Sequence, residues 1–158
     1  MILVTTGTQL PFPRLVAAMD RLAPVLGERV VAQVGPDPGT YANLETHARL
    51  DPETFEALFR EARIVVAHAG IGTVLAACRH GKPLVLMPRR HSLGEHRNDH
   101  QMATAEALRG RPGLYLAWKD GELAELLTTR DTLAPMRDEL GPGAAALNGF
   151  VAAWLAGR

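Results

Sequence analysis

The sequence predicts an α/β domain in which helices cover both faces of a parallel sheet. Short β-branched runs alternate with helical patterns: Ile2–Thr5 is followed by a helix over Pro13–Leu26 and by a second run at residues 30–34. A further run, Ile64–Ala67, is apolar at every position. Parallel strands covered on both faces have this continuous pattern, whereas half-buried strands alternate. These observations favour a doubly wound sheet.

The remaining elements are predicted from local signals. Asp51 and Pro52 provide a capping acid and a first-turn proline, so a helix should begin there. We expect further strands at residues 84–87 and 114–117, and helices from about Thr73, Asn98 and Gly121. A final helix should follow residues 141–143, because an apolar stripe at helical spacing is formed by Leu147, Phe150, Val151, Trp154 and Leu155.

Length and charge place the chain among single soluble domains. It has 158 residues, with 17 Lys and Arg against 17 Asp and Glu, and neither half carries the basic excess that nucleic-acid binding usually requires. The one cysteine, Cys78, lies in an apolar run and is expected to be a buried, unreactive side chain. The start lacks a signal peptide, and no apolar stretch approaches the ~20 residues needed to span a bilayer. We therefore expect one cytoplasmic domain over residues 1–158, without nucleic acid as a partner.

Two glycine-containing segments follow predicted strands, where ligands bind in open α/β sheets. Residues 6–9 read Thr-Gly-Thr-Gln, and residues 68–73 read His-Ala-Gly-Ile-Gly-Thr before a predicted helix. A helix start of this kind suits phosphate, although the glycines could equally make an ordinary tight turn. A dinucleotide fingerprint fails at Leu75, which stands where glycine is required, but Arg89 and Arg90 keep an NADP site open as an alternative. His68 is either a site residue or a structural histidine that ends a buried strand.

The segment Pro88 to Gln101, PRRHSLGEHRNDHQ, concentrates basic, acidic, amide and imidazole groups. Three interpretations are open: a solvated surface loop, a site that reads hydroxyls and phosphate, or a metal site. Arg97 would repel a cation among the candidate metal ligands, which are His91, His96, Asp99 and His100.

Three segments in this order carry a resemblance to a known family: VTTGTQLPF from Val4, VVAHAGIGT from Val65 and GKPLVLMPRRHSLGEHRNDHQ from Gly81. Together they resemble the C-terminal domain of family 28 glycosyltransferases, and in particular the catalytic subunits of two-component enzymes of the bacterial exopolysaccharide and eukaryotic UDP-GlcNAc transferase types. The resemblance implies a Rossmann-like, C-terminal half of a GT-B fold. It also implies that the domain binds a UDP-sugar without a metal or other cofactor and transfers a hexose, with inversion, to a lipid-linked acceptor.

The resemblance also implies roles for individual residues and for a partner. The diphosphate would be approached by Gly7, Thr8, Gly70, Gly72 and Thr73. Sugar hydroxyls would be contacted, or the loop ordered, by Glu95, Asn98, Asp99, His100 and Gln101, with Gln101 nearest the hexose. A membrane-anchored subunit would hold the acceptor and recruit this chain to the inner face of the membrane.

One position departs from the family pattern: Ala76 stands where a ribose-binding glutamate is common. Glu95 is the nearest alternative in sequence.

Without a metal, the charge of a leaving UDP must be met by amides, hydroxyls and cations, for which Lys82, Arg89 and Arg90 are candidates. A histidine or carboxylate would serve as the base, and His68 and His100 are candidates, although the resemblance implies a base in the acceptor-binding half. The alternatives to a transferase are a non-catalytic nucleotide-binding module and an NADP-binding protein. A nucleotide-sugar epimerase is disfavoured because it would need a second domain.

Overall fold

The computed structural model describes residues 1–137 and shows one six-stranded parallel sheet in the order β3-β2-β1-β4-β5-β6. The strands are β1 Ile2–Thr5, β2 Val30–Gln33, β3 Glu45–His47, β4 Ile64–Ala67, β5 Leu84–Leu86 and β6 Leu114–Leu116. The helices are α1 Pro13–Leu26, α2 Pro52–Glu61, α3 Ile71–His80, α4 His100–Ala107 and α5 Asp120–Thr128, with short 3₁₀ turns at His91–Leu93 and Arg130–Thr132. The predicted doubly wound, Rossmann-like fold is confirmed.

Helices cover both faces of the sheet, and each face has its own core. On one face, α1 and α5 pack on Ile2, Val4 and Val66. On the other, α2, α3 and α4 pack on Leu3 and Val65. Successive strand residues thus enter opposite cores, which is why β4 and β5 are apolar at every position and β1 is apolar up to Thr5.

The register brings the carboxyl ends of the central strands to one level. Thr5 is paired with Gln33 on one side and with Ala67 on the other, and Ala67 is paired in turn with Leu86. The loops that follow β1, β2, β4 and β5 therefore leave the sheet side by side. We call this side the carboxyl edge, and the opposite side the amino edge.

Local signals account for the helix boundaries. The Asp51 carboxylate accepts a hydrogen bond from the Thr54 amide at 2.9 Å, as the predicted cap of α2 requires. Helix α1 begins at Pro13 and is capped after Leu26 by Gly27, whose φ of 64° is the left-handed conformation that glycine adopts without strain. The predicted bounds of β1 and α1 are confirmed.

Several predicted details are wrong. Strand β3 was not expected, because Glu45, Thr46 and His47 form a polar edge strand without an apolar pattern. Helix α3 begins at Ile71 rather than Thr73, and α4 at His100 rather than Asn98. Cys78 is half-buried instead of buried.

The predicted C-terminal stripe from Leu147 to Leu155 lies outside the described residues. Within residues 1–137, the helices are too short or too polar for any of them to cross a membrane.

Candidate functional site

The two predicted glycine loops meet at the carboxyl edge, around the imidazole of His68. A Cβ on Gly7, which has a φ of +78°, would lie 3.2 Å from His68 Cε1. A Cβ on Gly70 would lie only 2.5 Å from His68 Nε2. The two glycines therefore leave the space that the imidazole ring occupies, and the ring fixes the separation of the two loops.

His68 is neutral at pH 7. Its Nδ1 lies 3.4 Å from the carbonyl oxygen of Thr5, the last residue of β1. Burial is the main cause that lowers the pKa of His68 to about 4, with smaller contributions from the positive charges of Arg89 and His96. An Nδ1–H donated to Thr5 leaves Nε2 as an acceptor on the Gly70 side. His68 is therefore a neutral spacer and carries no positive charge toward a phosphate.

The first turn of α3 is the open part of this edge. Gly70 caps the helix without a side-chain hydrogen bond, and a Cβ on Gly72 would meet no atom within 4 Å. The first turn of a helix has amides without intrahelical acceptors and a partial positive charge. The structure thus brings Gly7, Thr8, Gly70, Gly72 and Thr73 to one edge, where Gly72 and Thr8 are exposed.

A buried glutamine that sequence reasoning missed supports the loops from below. Gln33 ends β2, and its Oε1 accepts a hydrogen bond from the amide of Leu50 at 3.0 Å. The Thr6 hydroxyl donates to the carbonyl oxygen of Gln33 at 3.3 Å. The only sequence signal for the role of Gln33 was a side-chain amide directly after the apolar run 30–32.

Arg89 ties the loop after β5 to the loop after β1. Its Nη2 donates to the carbonyl oxygens of Thr6, at 2.8 Å, and Leu10, at 2.6 Å. The guanidinium lies over the Phe12 ring, 4.9 Å from the centroid, and the residue is 3% exposed. Burial lowers the pKa of Arg89 to about 10, so the group stays charged at neutral pH.

Of the three cations expected to meet the phosphate charge, Lys82 lies at the wrong edge of the sheet, while the expectation for Arg89 and Arg90 stays a prediction. Arg89 is bonded to backbone carbonyls, and Arg90 Nη2 donates to the carbonyl oxygen of Trp118 at 2.5 Å. Lys82 lies at the amino edge, where its Nζ donates to the carbonyl oxygen of Arg60. The same bonds disfavour an NADP site, because they direct the Nη2 atoms of Arg89 and Arg90 to backbone carbonyls rather than to a 2′-phosphate.

The expected sugar-reading residues form the hydrogen bonds of their own loop. Gln101 Oε1 accepts from the Arg89 amide at 3.1 Å, and Asp99 Oδ1 accepts from the His91 amide at 3.0 Å. Asn98 Oδ1 accepts from the His100 amide at 3.2 Å. These contacts place Asn98, Asp99 and Gln101 as loop-ordering groups, while His100 is exposed at the start of α4.

Glu95 is also bound within the protein. Its two oxygens accept from the Arg14 guanidinium, at 2.6 and 2.9 Å, and Oε2 accepts from the Arg90 amide at 2.9 Å. Ala76, on α3, has no polar side chain to offer a ribose. Because both Glu95 oxygens are occupied, the structure favours loop ordering over ribose binding for this residue.

The histidines of this loop bond to nearby oxygens rather than converge on a point. His91 Nδ1 lies 3.0 Å from the His96 carbonyl oxygen, and His96 Nδ1 lies 3.0 Å from Asn98 Oδ1. Throughout residues 1–137, no three His, Cys, Asp or Glu side chains are grouped so that they could hold a metal ion.

Comparisons with known proteins support the α/β fold and identify a matching family. Residues 1–146 match the model of the glycosyltransferase family 28 C-terminal domain. No curated protein matches the chain in sequence.

Among solved structures, the glycotransferase of kitacinnamycin is similar at 22% identity, with a TM-score of 0.61 over 83% of this chain and 34% of that one. The MurG of Acinetobacter baumannii is similar at 22% identity, with a TM-score of 0.55 over 83% of this chain and 41% of that one. The solution structure of ALG13 has a TM-score of 0.60 at 16% identity, over 90% of this chain and 91% of that one. The chain thus spans about a third of the kitacinnamycin glycotransferase. At these identities the structures establish a shared fold, that of GT-B C-terminal domains.

Proposed function

Because the chain belongs to the glycosyltransferase family 28 C-terminal domain family, whose model matches residues 1–146, we propose that it is the donor-binding, catalytic subunit of an inverting glycosyltransferase. It binds a UDP-sugar and moves the hexose to a lipid-linked acceptor, which a membrane-anchored partner holds. The chain works in the cytoplasm, at the inner face of the membrane. Exopolysaccharide or other cell-envelope synthesis is the setting that we propose.

One observation carries the proposal: two glycine loops converge around the neutral His68, beside an open helix start. The space at Gly72 lets a ligand reach the backbone amides of the first turn of α3. Thr8 and Thr73 supply hydroxyl donors at the same edge, which suits the diphosphate of a nucleotide-sugar.

The charge that develops on the leaving UDP is stabilised without a metal in this proposal. The amides and partial positive charge of the α3 start point at the diphosphate, and the buried charge of Arg89 lies behind the loops without touching it. The role of Arg89 is then to hold the loop after β1 and to raise the local potential.

The acceptor is the part of the reaction that this chain does not hold. We propose that the base that deprotonates the acceptor hydroxyl comes from the partner. His68 is the less suitable of the two histidine candidates because its ring is enclosed between Gly7 and Gly70. His100 is exposed at the rim of the edge and remains the candidate to test on this chain.

Calorimetric titration of the purified chain with UDP and with a panel of UDP-sugars, in EDTA, tests the donor half of the proposal. We expect saturable binding that added magnesium or manganese does not strengthen. Binding that disappears on chelation and returns with either metal would refute the metal-free site.

Transfer tests the partner half. The chain alone should transfer sugar to a lipid acceptor poorly, and membranes that contain the partner should restore transfer. Efficient transfer by the isolated chain would refute the two-component arrangement.

A further inference from the structure

Arg14, in the first turn of α1, holds the loop after β5 from outside that loop. Its Nε donates to Glu95 Oε1 at 2.6 Å and its Nη2 to Glu95 Oε2 at 2.9 Å, so the contact is two-pronged. The same Nη2 donates to the carbonyl oxygen of Pro88 at 3.0 Å. One guanidinium therefore binds both the start of the loop and its middle.

The pair is partly shielded from water, with the Arg14 and Glu95 side chains 20% and 10% exposed. Glu95 Oε2 also accepts from the Arg90 amide at 2.9 Å. A planar guanidinium that meets both carboxylate oxygens fixes orientation as well as distance. The pair can therefore hold the loop in one geometry.

Phe12 links this pair to the loop after β1. Its ring is fully buried, with the Arg14 guanidinium 5.2 Å and the Arg89 guanidinium 4.9 Å from the centroid. Arg89 in turn donates to the carbonyl oxygens of Thr6 and Leu10. The two loops thus share one packed unit.

The segment that Arg14 holds leads directly to Asn98 and Gln101, which the family resemblance places at the donor sugar or in the ordering of its loop. Glu95 lies between Pro88 and Asn98, and Gln101 is anchored through the Arg89 amide. A shift of Glu95 would move the turn that carries Asn98 and Asp99 relative to the glycine loops.

We propose that Arg14 and Glu95 are positioning residues, which set the affinity for the donor sugar by fixing the loop of residues 88–101. The inference rests on the proposed function. Neither side chain is assigned a contact with the donor.

The test compares Arg14→Gln and Glu95→Gln with Arg29→Gln. Arg29 makes the same two-pronged contact with Glu45, at 2.9 and 3.1 Å, but at the opposite edge of the sheet. For each variant, amide hydrogen exchange of residues 90–101 is measured without ligand. Affinities are measured for UDP, UDP-glucose, UDP-galactose, UDP-N-acetylglucosamine and UDP-glucuronate, and urea unfolding verifies that each variant is folded.

We expect faster exchange at the amides of Arg90, His91 and Glu95 in both test variants, and wild-type exchange in Arg29→Gln. The affinity for the best-bound UDP-sugar should fall about 2- to 12-fold more than that for UDP, the range for a lost hydrogen bond to a neutral hydroxyl. A merely structural role would lower the affinities for UDP and for the UDP-sugar by the same factor.

The inference is overturned by unchanged loop exchange in Arg14→Gln and Glu95→Gln, by equal losses for UDP and UDP-sugar, or by the same losses in Arg29→Gln. Wild-type protein that binds none of the four UDP-sugars would overturn the proposed function instead. The exchange data would then still decide whether Arg14 and Glu95 position the loop.

Discussion

The two edges of the sheet use arginine in different ways. At the carboxyl edge, Arg89 and Arg90 donate to backbone carbonyls of neighbouring loops, and Arg14 holds a glutamate within one of them. At the amino edge, Arg63 and Arg130 both pair with the carboxylate of Glu28. The first arrangement fixes the backbone path of the loops. The second uses ion pairs to join the segments that follow α1 and α5 and the segment that precedes β4.

In the proposed function, this difference separates an edge that serves stability alone from an edge that also binds the ligand. The amino edge has side-chain ion pairs and is far from the glycine loops. The carboxyl edge holds its loops by buried bonds, which leave the amides at the start of α3 exposed to a ligand. Substitutions at the amino edge should therefore change the free energy of unfolding alone, whereas substitutions at the carboxyl edge should change unfolding, ligand binding or both.

Loss of Arg89 should have the largest effect on stability. Arg89→Met keeps much of the buried stem but leaves the carbonyls of Thr6 and Leu10 without their charged donor. Each of the two bonds contributes about 1.5–3 kcal/mol, so we expect a loss of about 3–6 kcal/mol in the free energy of unfolding, measured in urea.

Arg109→Met is the control for this change. Arg109 also lies over an aromatic ring, that of Trp118, and pairs with Glu106, but its side chain is 57% exposed. Its loss should cost much less than the loss of Arg89, because water screens an exposed ion pair. Equal costs for the two variants would contradict the structural role of Arg89.

Substitution of the two glycines at the start of α3, Gly70 and Gly72, should have different effects on stability. Gly70→Ala places a Cβ 2.5 Å from His68 Nε2 and should cost about 1–3 kcal/mol, because the ring is also confined by Gly7. Gly72→Ala points into open space and should leave stability unchanged or slightly higher, while it weakens UDP binding. Urea unfolding and calorimetry measure the two effects.

A double variant verifies the cause of the Gly70 effect. If the alanine collides with the imidazole, His68→Ala combined with Gly70→Ala should cost less than the sum of the single losses. Additive costs would show that the spacer role of His68 is wrong. Unaltered UDP affinity in Gly72→Ala would show that the diphosphate does not bind at the start of α3.

The sequence could predict what depends on local pattern. β1, α1 and the α2 cap follow from runs and spacings of a few residues, and the register of parallel strands places the glycine loops together. β3 could not be predicted, because Glu45 to His47 pair only along one edge of the sheet.

The roles of charged groups at the site were the least predictable part. The sequence shows that Arg89 and Arg90 follow a strand, but whether a guanidinium faces a ligand or a carbonyl depends on the loops opposite. Arg14 and Glu95 are 81 positions apart, so no spacing rule joins them. Gln33 was missed because its partners, Thr6 and Leu50, lie on other loops.

Glu28 should be the main source of the pH dependence of the free energy of unfolding at the amino edge. Burial alone would raise the pKa of Glu28, but its bonds to Arg63, the amino group of Met1 and Arg130 lower it to about 2, from an ordinary value of 4.5. A lowered folded-state pKa means that the stabilisation is complete above about pH 4.5 and is lost as the pH falls toward 2. Glu28→Gln should cost about 1–2 kcal/mol at pH 7, a value reduced for the partial exposure of the cluster.

Urea unfolding of wild type and Glu28→Gln between pH 7 and pH 3 measures this. The difference between the two proteins should shrink as the pH falls below 4.5. A constant difference over the whole range would show that the carboxylate charge is not the source of the stabilisation.

The smallest effect should come from the exposed pair at the amino edge. Arg29 and Glu45 form a two-pronged contact like that of Arg14 and Glu95, but their side chains are 48% and 45% exposed. Water and salt screen such a pair, so Arg29→Gln should cost at most about 0.5 kcal/mol in urea unfolding, and less at 1 M salt. Arg14→Gln should cost more, because Arg14 and Glu95 are 20% and 10% exposed and the Pro88 carbonyl also loses its donor. An equal cost for the two variants would mean that burial does not distinguish the edges, and the contrast between a loop-holding edge and a charge-paired edge would fail at its most closely matched pair.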